Sequence, residues 1–225
     1  MDSHLKTVVI IGAGGFGREV LQYAKDVGGF VVRGFLDDRH ESELNLTELA
    51  LLGTIKDYVP RPGESFLLAI GDPTARARIA KRFLQAGAHF ETIVHPLAYT
   101  ASSAAVGPGC IVAPFATLGA HSTLSAFGQL HFYASVAHDA VIGMFSALSP
   151  YSVVNGGGRL GEGVFLGTRS TINPKVEVGS YSKVAAGAVV YRNVSDRCIA
   201  AGNPAKSRRL MLPIDGAAKD PPVYV

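Results

Sequence analysis

At 225 residues, 48% hydrophobic and 17% charged, the chain carries enough apolar material for one or two packed domains. Its formal charge of +3 is too small, and its Lys and Arg too scattered, for a nucleic-acid-binding stripe. The two cysteines, Cys110 and Cys198, lie too far apart to frame a disulfide set or a zinc site, and no apolar run reaches membrane-spanning length or makes a signal-peptide core. A cytoplasmic protein with no metal is expected.

In chain order, residues 7–12 read TVVIIG, a β-branched run suited to a buried parallel strand. Gly12, Gly14 and Gly17 then complete a GxGxxG pattern, with Gly15 inside it, ahead of an amphipathic helix from about Arg18 to Val27. A strand, a glycine turn and a helix N-terminus together offer free N–H groups to phosphate oxygens. A second strand, Val31–Leu36, ends in Asp37 and Asp38, the place where a dinucleotide fold puts a carboxylate on a ribose hydroxyl. A third strand (Ser65–Ile70), the turn Gly71-Asp72-Pro73, a helix over 74–86 and a last strand near 90–94 give only about half of a full dinucleotide fold. The expectation is a small Rossmann-like unit over 1–96 that holds a nucleotide-linked ligand. Gly71 and Asp72 stand at a strand's carboxyl end, and Arg76 is placed either toward a phosphate or on a solvated helix face.

From Val106 to Val190 every sixth residue is Val, Leu or Ile, and four residues after each of these stands a small or slim one, from Cys110 to Val194. A period of six closes on no α-helix; it is the hexapeptide signature of a parallel β-helix. Three hexads make one triangular coil, so residues eighteen apart stack about 4.8 Å apart. Fifteen hexads predict five coils, joined rigidly to the first unit through His95-Pro96 and residues 97–105.

Because the period assigns columns, the fourth hexad position can be read down the outside. It stacks Phe115, Tyr133 and Tyr151 in one column and Phe127 and Phe145 in another, apolar ladders that predict burial against a partner copy in a closed oligomer such as a trimer. The third column holds His121, Asp139 and Gly157, flanked one residue earlier by Ala120, His138 and Gly156. A neutral imidazole at His138 can take a proton from an attacking amine or hydroxyl, with Asp139 to orient it and the Gly156 amide to hold an acyl oxyanion. A histidine that merely caps a turn is the plain alternative. After Val194 the period stops, and a basic stretch with Lys206 leads to a tail over 211–225.

The segments LDD, IGD, AHDAVIG, NGGGRLGEGVFLGT and AGNPAK, in that order after a glycine-rich start, resemble the NeuD/PglD/PerB type of bacterial sugar acetyltransferases, in the left-handed β-helix hexapeptide superfamily, over residues 7 to about 210. The resemblance implies an α/β unit followed by a left-handed β-helix over 97–210, a homotrimer, and acetyl-CoA lying between neighbouring prisms. It implies His138 as catalytic base, Asp139 as its acidic neighbour and Gly156 as the amide on the thioester carbonyl. Thr168, Ala186 and Gly187 match the pantetheine arm, and Gly202, Pro204 and Lys206 a motif near the coenzyme's nucleotide end. Gly12, Gly14, Asp37, Asp38, Gly71 and Asp72 match segments that hold a nucleotide-linked amino-sugar. Two positions depart from the pattern near the acceptor: His131 stands where relatives often have Asn, and Ala147 where they often have His.

The expected reaction is N-acetylation of the 4-amino group of a nucleotide-linked deoxysugar. The competing readings are O-acetylation of sialic acid or another glycan sugar, a non-catalytic nucleotide- or NAD-binding trimer, and, last, a zinc hydratase, which needs three histidines converging across subunits although His121, His131 and His138 sit at different phases of the hexad.

Overall fold

The computed structural model describes residues 5–210; the tail over 211–225 lies outside them. The chain begins with a five-stranded sheet, β1 (Lys6–Ile11), β2 (Phe30–Leu36), β3 (Leu51–Gly53), β4 (Ser65–Leu68) and β5 (His89–Phe90), in the order β3-β2-β1-β4-β5. All its pairings are parallel. Val8 to Ile11 are fully buried on both faces, which is why that run shows no alternation. Helix α1 (Gly15–Val27) turns Val20, Leu21, Tyr23 and Ala24 inward and stops at Gly28, which has φ 71°. Helix α2 (Pro73–Gln85) starts on Asp72, whose side chain accepts the Ala75 N–H at 2.8 Å, with Pro73 just inside.

From Ile93 onward the chain winds into a three-faced parallel solenoid with faces of six, five and eight strands. Up to Val190 pairing runs at a constant offset of eighteen, as in Thr117↔Ser135, Thr123↔Val141 and Gln129↔Ala147. The hexad aliphatics and their small companions fill the interior, Cys110 among them, and burial pushes its thiol up to about 11. The expected five coils are extended at both ends. Ile93–Val94 pairs with Ile111–Val112 rather than closing the first sheet, and beyond Val194 the strand Cys198–Gly202 continues the eight-stranded face before Ala205–Arg209 folds back on it.

Every sixth residue from Gly109 to Gly187 has a positive φ, including Phe115, Tyr133, Asp139 and Tyr151. These are the corners. A left-handed conformation costs a non-glycine residue about 1–2 kcal/mol, and interstrand bonds on both sides of the corners, such as Ala113 N–H to Leu130 O and Thr117 N–H to Ala134 O about Phe115, offset that cost.

The two aromatic ladders form with ring centroids 4.8–5.0 Å apart, but they differ in fate. Phe127 and Phe145, expected against a partner copy, are instead buried by the chain's own first unit, where Phe127 meets Phe90 edge to face. Phe115, Tyr133 and Tyr151 stay exposed. His95 adds a second tie between the units: its Nε2 bonds Asp26 of α1 at 3.0 Å while Nδ1 accepts the Leu97 N–H at 3.1 Å.

Candidate active site

The strands Ser135–Val136 and Val153–Val154 stack, so the corners that follow them do too, and His138 stands one coil from Gly156. The Gly157 N–H donates to the His138 carbonyl at 2.9 Å and the Asp139 N–H to the Ala120 carbonyl at 3.0 Å, which locks the corners level. His138 Nδ1 lies 2.7 Å from Asp139 Oδ2. An ionised carboxylate only accepts, so Nδ1–H is the donor to Asp139, and in the neutral ring the lone pair is on Nε2. That hydrogen bond holds Asp139 below the usual carboxylate range.

The free Nε2 faces Gly156. A Cβ there would stand 2.6 Å from it, so only glycine lets the ring lie against this turn. The Gly156 N–H donates to no acceptor among the described residues. A proton acceptor and a bare amide donor therefore flank one spot on the edge of the solenoid, the pairing that acyl transfer requires. In the single chain this spot is open, with the His138 side chain 70% exposed.

Thr168, Ala186 and Gly187 are exposed at a different edge, after strands of the eight-stranded face, where the Gly187 N–H bonds the Thr168 carbonyl at 2.9 Å. Gly202, Pro204 and Lys206 lie on the exposed hairpin below them, with Ala201 paired to Lys206. The structure thus separates the imidazole corner from the coenzyme-matched positions within one chain.

In the first unit, Gly12 ends β1, Gly14 caps α1 without a side chain, Gly15 is exposed at its first turn, and Gly17 is buried, where a Cβ would strike the Gly12 carbonyl at 1.9 Å. Asp38 is exposed and accepts the Lys56 N–H at 2.8 Å; Gly71 and Asp72 are exposed at the carboxyl end of β4.

Two sequence expectations are corrected. Arg76 meets neither phosphate nor solvent: it is fully buried, donating to the carbonyls of Ile70, Gly71, Phe127 and Phe145 and to Gln129 Oε1. Docking the first unit on the solenoid closes over that helix face, and desolvation pushes the guanidinium down to about 9, still charged at neutral pH. Asp37, expected on a ribose hydroxyl, is buried with its oxygens on Ala13 and Arg39. Burial alone would raise it, but bonds from Arg39 and the Ala13 amide outweigh that and hold it below the usual range. Arg39 escaped the sequence reading because an exposed Arg after two acids looks like an ordinary loop cation.

His131 leaves the solenoid toward α1, its ring centroid 4.6 Å from that of Phe16 at 42°. Burial, and then the charge of Arg76, push it down to about 4 from 6.5. A half-buried histidine held neutral binds fewer protons folded than unfolded, so its stability contribution is complete above about pH 6.5 and is lost as pH falls toward 4. The expected loss over that window is about 2–3 kcal/mol. Urea unfolding at pH 7 and 4.5 checks this: a His131→Phe variant should lose less than the parent by that amount, and equal losses would refute it.

Among the described residues, no three His, Cys, Asp or Glu side chains gather to hold a metal, and no helix is long and apolar enough to cross a membrane. Within one chain His121, His131 and His138 form no such group.

The PglD N-terminal domain family matches residues 7–83. GDP-perosamine N-acetyltransferase of Escherichia coli O157:H7 is 26% identical over 174 residues, 74% of this chain and 78% of that protein. Among solved structures, the acetyltransferase domain of PglB from Neisseria gonorrhoeae FA1090, also seen with acetyl coenzyme A, is 30% identical with a TM-score of 0.83 for the free form, over 89% of this chain and 98% of that one. PerB from Caulobacter crescentus, in complex with CoA and GDP-perosamine, is 27% identical with a TM-score of 0.81, over 91% and 98%. These likenesses match the fold: a small Rossmann-like unit and a left-handed parallel β-helix.

Proposed function

The chain belongs to the NeuD/PglD/PerB type of bacterial sugar acetyltransferases and is an acyltransferase whose acyl donor is acetyl-CoA, and from that premise we propose that it acetylates the 4-amino group of a nucleotide-linked amino-deoxysugar. The observation that carries this reading is His138, its Nδ1 on Asp139 and its Nε2 against Gly156 one coil away. In the reaction the neutral amine attacks the thioester carbonyl carbon. The C–N bond forms as Nε2 takes the amine proton, the Gly156 N–H steadies the oxyanion, and the C–S bond breaks as the imidazolium passes that proton to the sulfur, releasing the coenzyme as its thiol. Thr168, Ala186 and Gly187 would hold the pantetheine arm and the Gly202–Lys206 hairpin the coenzyme's nucleotide end. The glycine turn, Asp38, Gly71 and Asp72 would hold the nucleotide-sugar, with His131 and the small Ala147 near the acceptor.

The open imidazole corner and the separate coenzyme edge support a site completed between copies, in a homotrimer whose exposed Phe115, Tyr133 and Tyr151 ladder is covered on assembly. We place the protein in the cytoplasm, where both substrates occur.

The test offers acetyl-CoA with UDP-, GDP- and dTDP-4-amino-sugars and follows thiol release. One of the three should be acetylated to a product stable to mild hydroxylamine, by an enzyme whose light-scattering mass is three chains. Transfer only to hydroxyls, seen as a hydroxylamine-labile product, would replace this reading with O-acetylation; release with none of them would end it.

A further inference from the structure

Asp37 cannot serve the ligand directly. Its Oδ1 accepts the Arg39 backbone N–H at 3.0 Å and Nε at 2.9 Å, while Oδ2 accepts the Ala13 N–H at 2.8 Å and Arg39 Nη2 at 2.7 Å. A carboxylate offers about four lone-pair sites, and all are taken. A ribose hydroxyl would find no acceptor there.

What Asp37 does instead is aim a cation. Two parallel bonds fix the plane of the Arg39 guanidinium, and Arg39 draws further, weaker attraction from Glu43. Held this way, it lies across the glycine turn: Nη2 is 3.1 Å and Nη1 3.8 Å from where a Cβ on Gly14 would stand, so the absent side chain is what admits it. Nη1 has no hydrogen-bond partner among the described residues, and the Arg39 side chain is 50% exposed, so it keeps free donors beside the glycine turn. The start of α1 beside it carries no acidic residue and no side-chain cap that would answer those donors from within the chain. Asp38, the other nearby acid, is engaged by the Lys56 N–H. A spot expected to accept from hydroxyls is therefore one that only donates.

We propose that Arg39, positioned by Asp37, grips the diphosphate of the nucleotide-linked substrate against the glycine turn. This rests on the reading of the first unit as the nucleotide-sugar site. A guanidinium matches phosphate oxygens through its fork, whereas an ammonium could not hold Asp37 bidentately and face the turn as well. Asp37 is then a positioning residue, and Arg39 the residue that touches the ligand.

Calorimetry on the full chain tests it with GDP, UDP, inorganic pyrophosphate and the nucleosides guanosine and uridine. In Arg39→Ala the preferred nucleoside diphosphate should bind about 10- to 100-fold more weakly. Nucleoside and acetyl-CoA binding should be unchanged, and Arg39→Lys should recover only part of the loss. Asp37→Asn should raise KM for the nucleotide-sugar while leaving kcat and the KM for acetyl-CoA in place, a split that a general loosening of the fold would not give. Diphosphate binding by Arg39→Ala equal to the parent's, or an equal loss for the nucleoside, overturns the assignment. The two readings fail separately. If no amino-sugar is acetylated but diphosphate binding still falls in Arg39→Ala, the clamp stands; if amino-sugars are acetylated with unchanged KM in Arg39→Ala, the clamp alone is wrong.

Discussion

Replacing His138 by Ala should lower kcat about 10²- to 10⁴-fold, the range for losing a general base, while acetyl-CoA binds as before. The reason is local. His138 is exposed and supports no packing, so its removal leaves the coils intact. Asp139→Asn should fall between parent and His138→Ala, because an amide can accept from Nδ1–H but carries no charge to stabilise the imidazolium that forms. Gly156→Ala should resemble His138→Ala by a different route: the new Cβ, 2.6 Å from Nε2, forces the ring off the position it needs. Steady-state kinetics with coenzyme affinity measured alongside decide it. Turnover by His138→Ala within a few-fold of the parent would remove the histidine from the mechanism.

Arg76→Met should destabilise the protein by about 3–5 kcal/mol. A buried ion pair can be exchanged for hydrocarbon at little cost, but Arg76 has no buried carboxylate partner to remove with it. Its partners are backbone carbonyls of both units and Gln129, whose side chain has one other bond among the described residues, from its amide to the Leu68 carbonyl. A methionine would leave these acceptors buried and unmet, each a loss of about 1–3 kcal/mol before relaxation. Arg76→Lys should recover little, since one ammonium cannot span acceptors on both sides of the junction. Chemical denaturation measures the effect, and a loss under about 1 kcal/mol would show that the junction is held by its apolar contacts alone.

The solenoid was legible because its signal is redundant. A strand register slip would turn every aliphatic outward, so the period fixes faces, columns and the one-coil separation of His138 from Gly156. The glycine turn and the β-branched runs announced the first unit by the same kind of local logic. The three-residue β3 gave no pattern to find, and Ile93–Val94 reads equally well as the end of one unit or the start of the other.

The amino-acid order by itself determined which side chains point in and which point out of each coil, since backbone geometry assigns these without regard to neighbours. It did not determine what the outward ones meet. Phe127 and Phe145 on one face and Phe115, Tyr133 and Tyr151 on another are the same residue types in the same hexad slot, yet docking of the first unit buries one ladder and leaves the other open. That docking also turned Arg76 from a surface cation into a buried tie, and the meeting of β1 and β2 filled Asp37 with Arg39. Hydrogen-bond satisfaction is a property of assembled surfaces, so only the tertiary structure decided which charged groups remain free to act on a ligand.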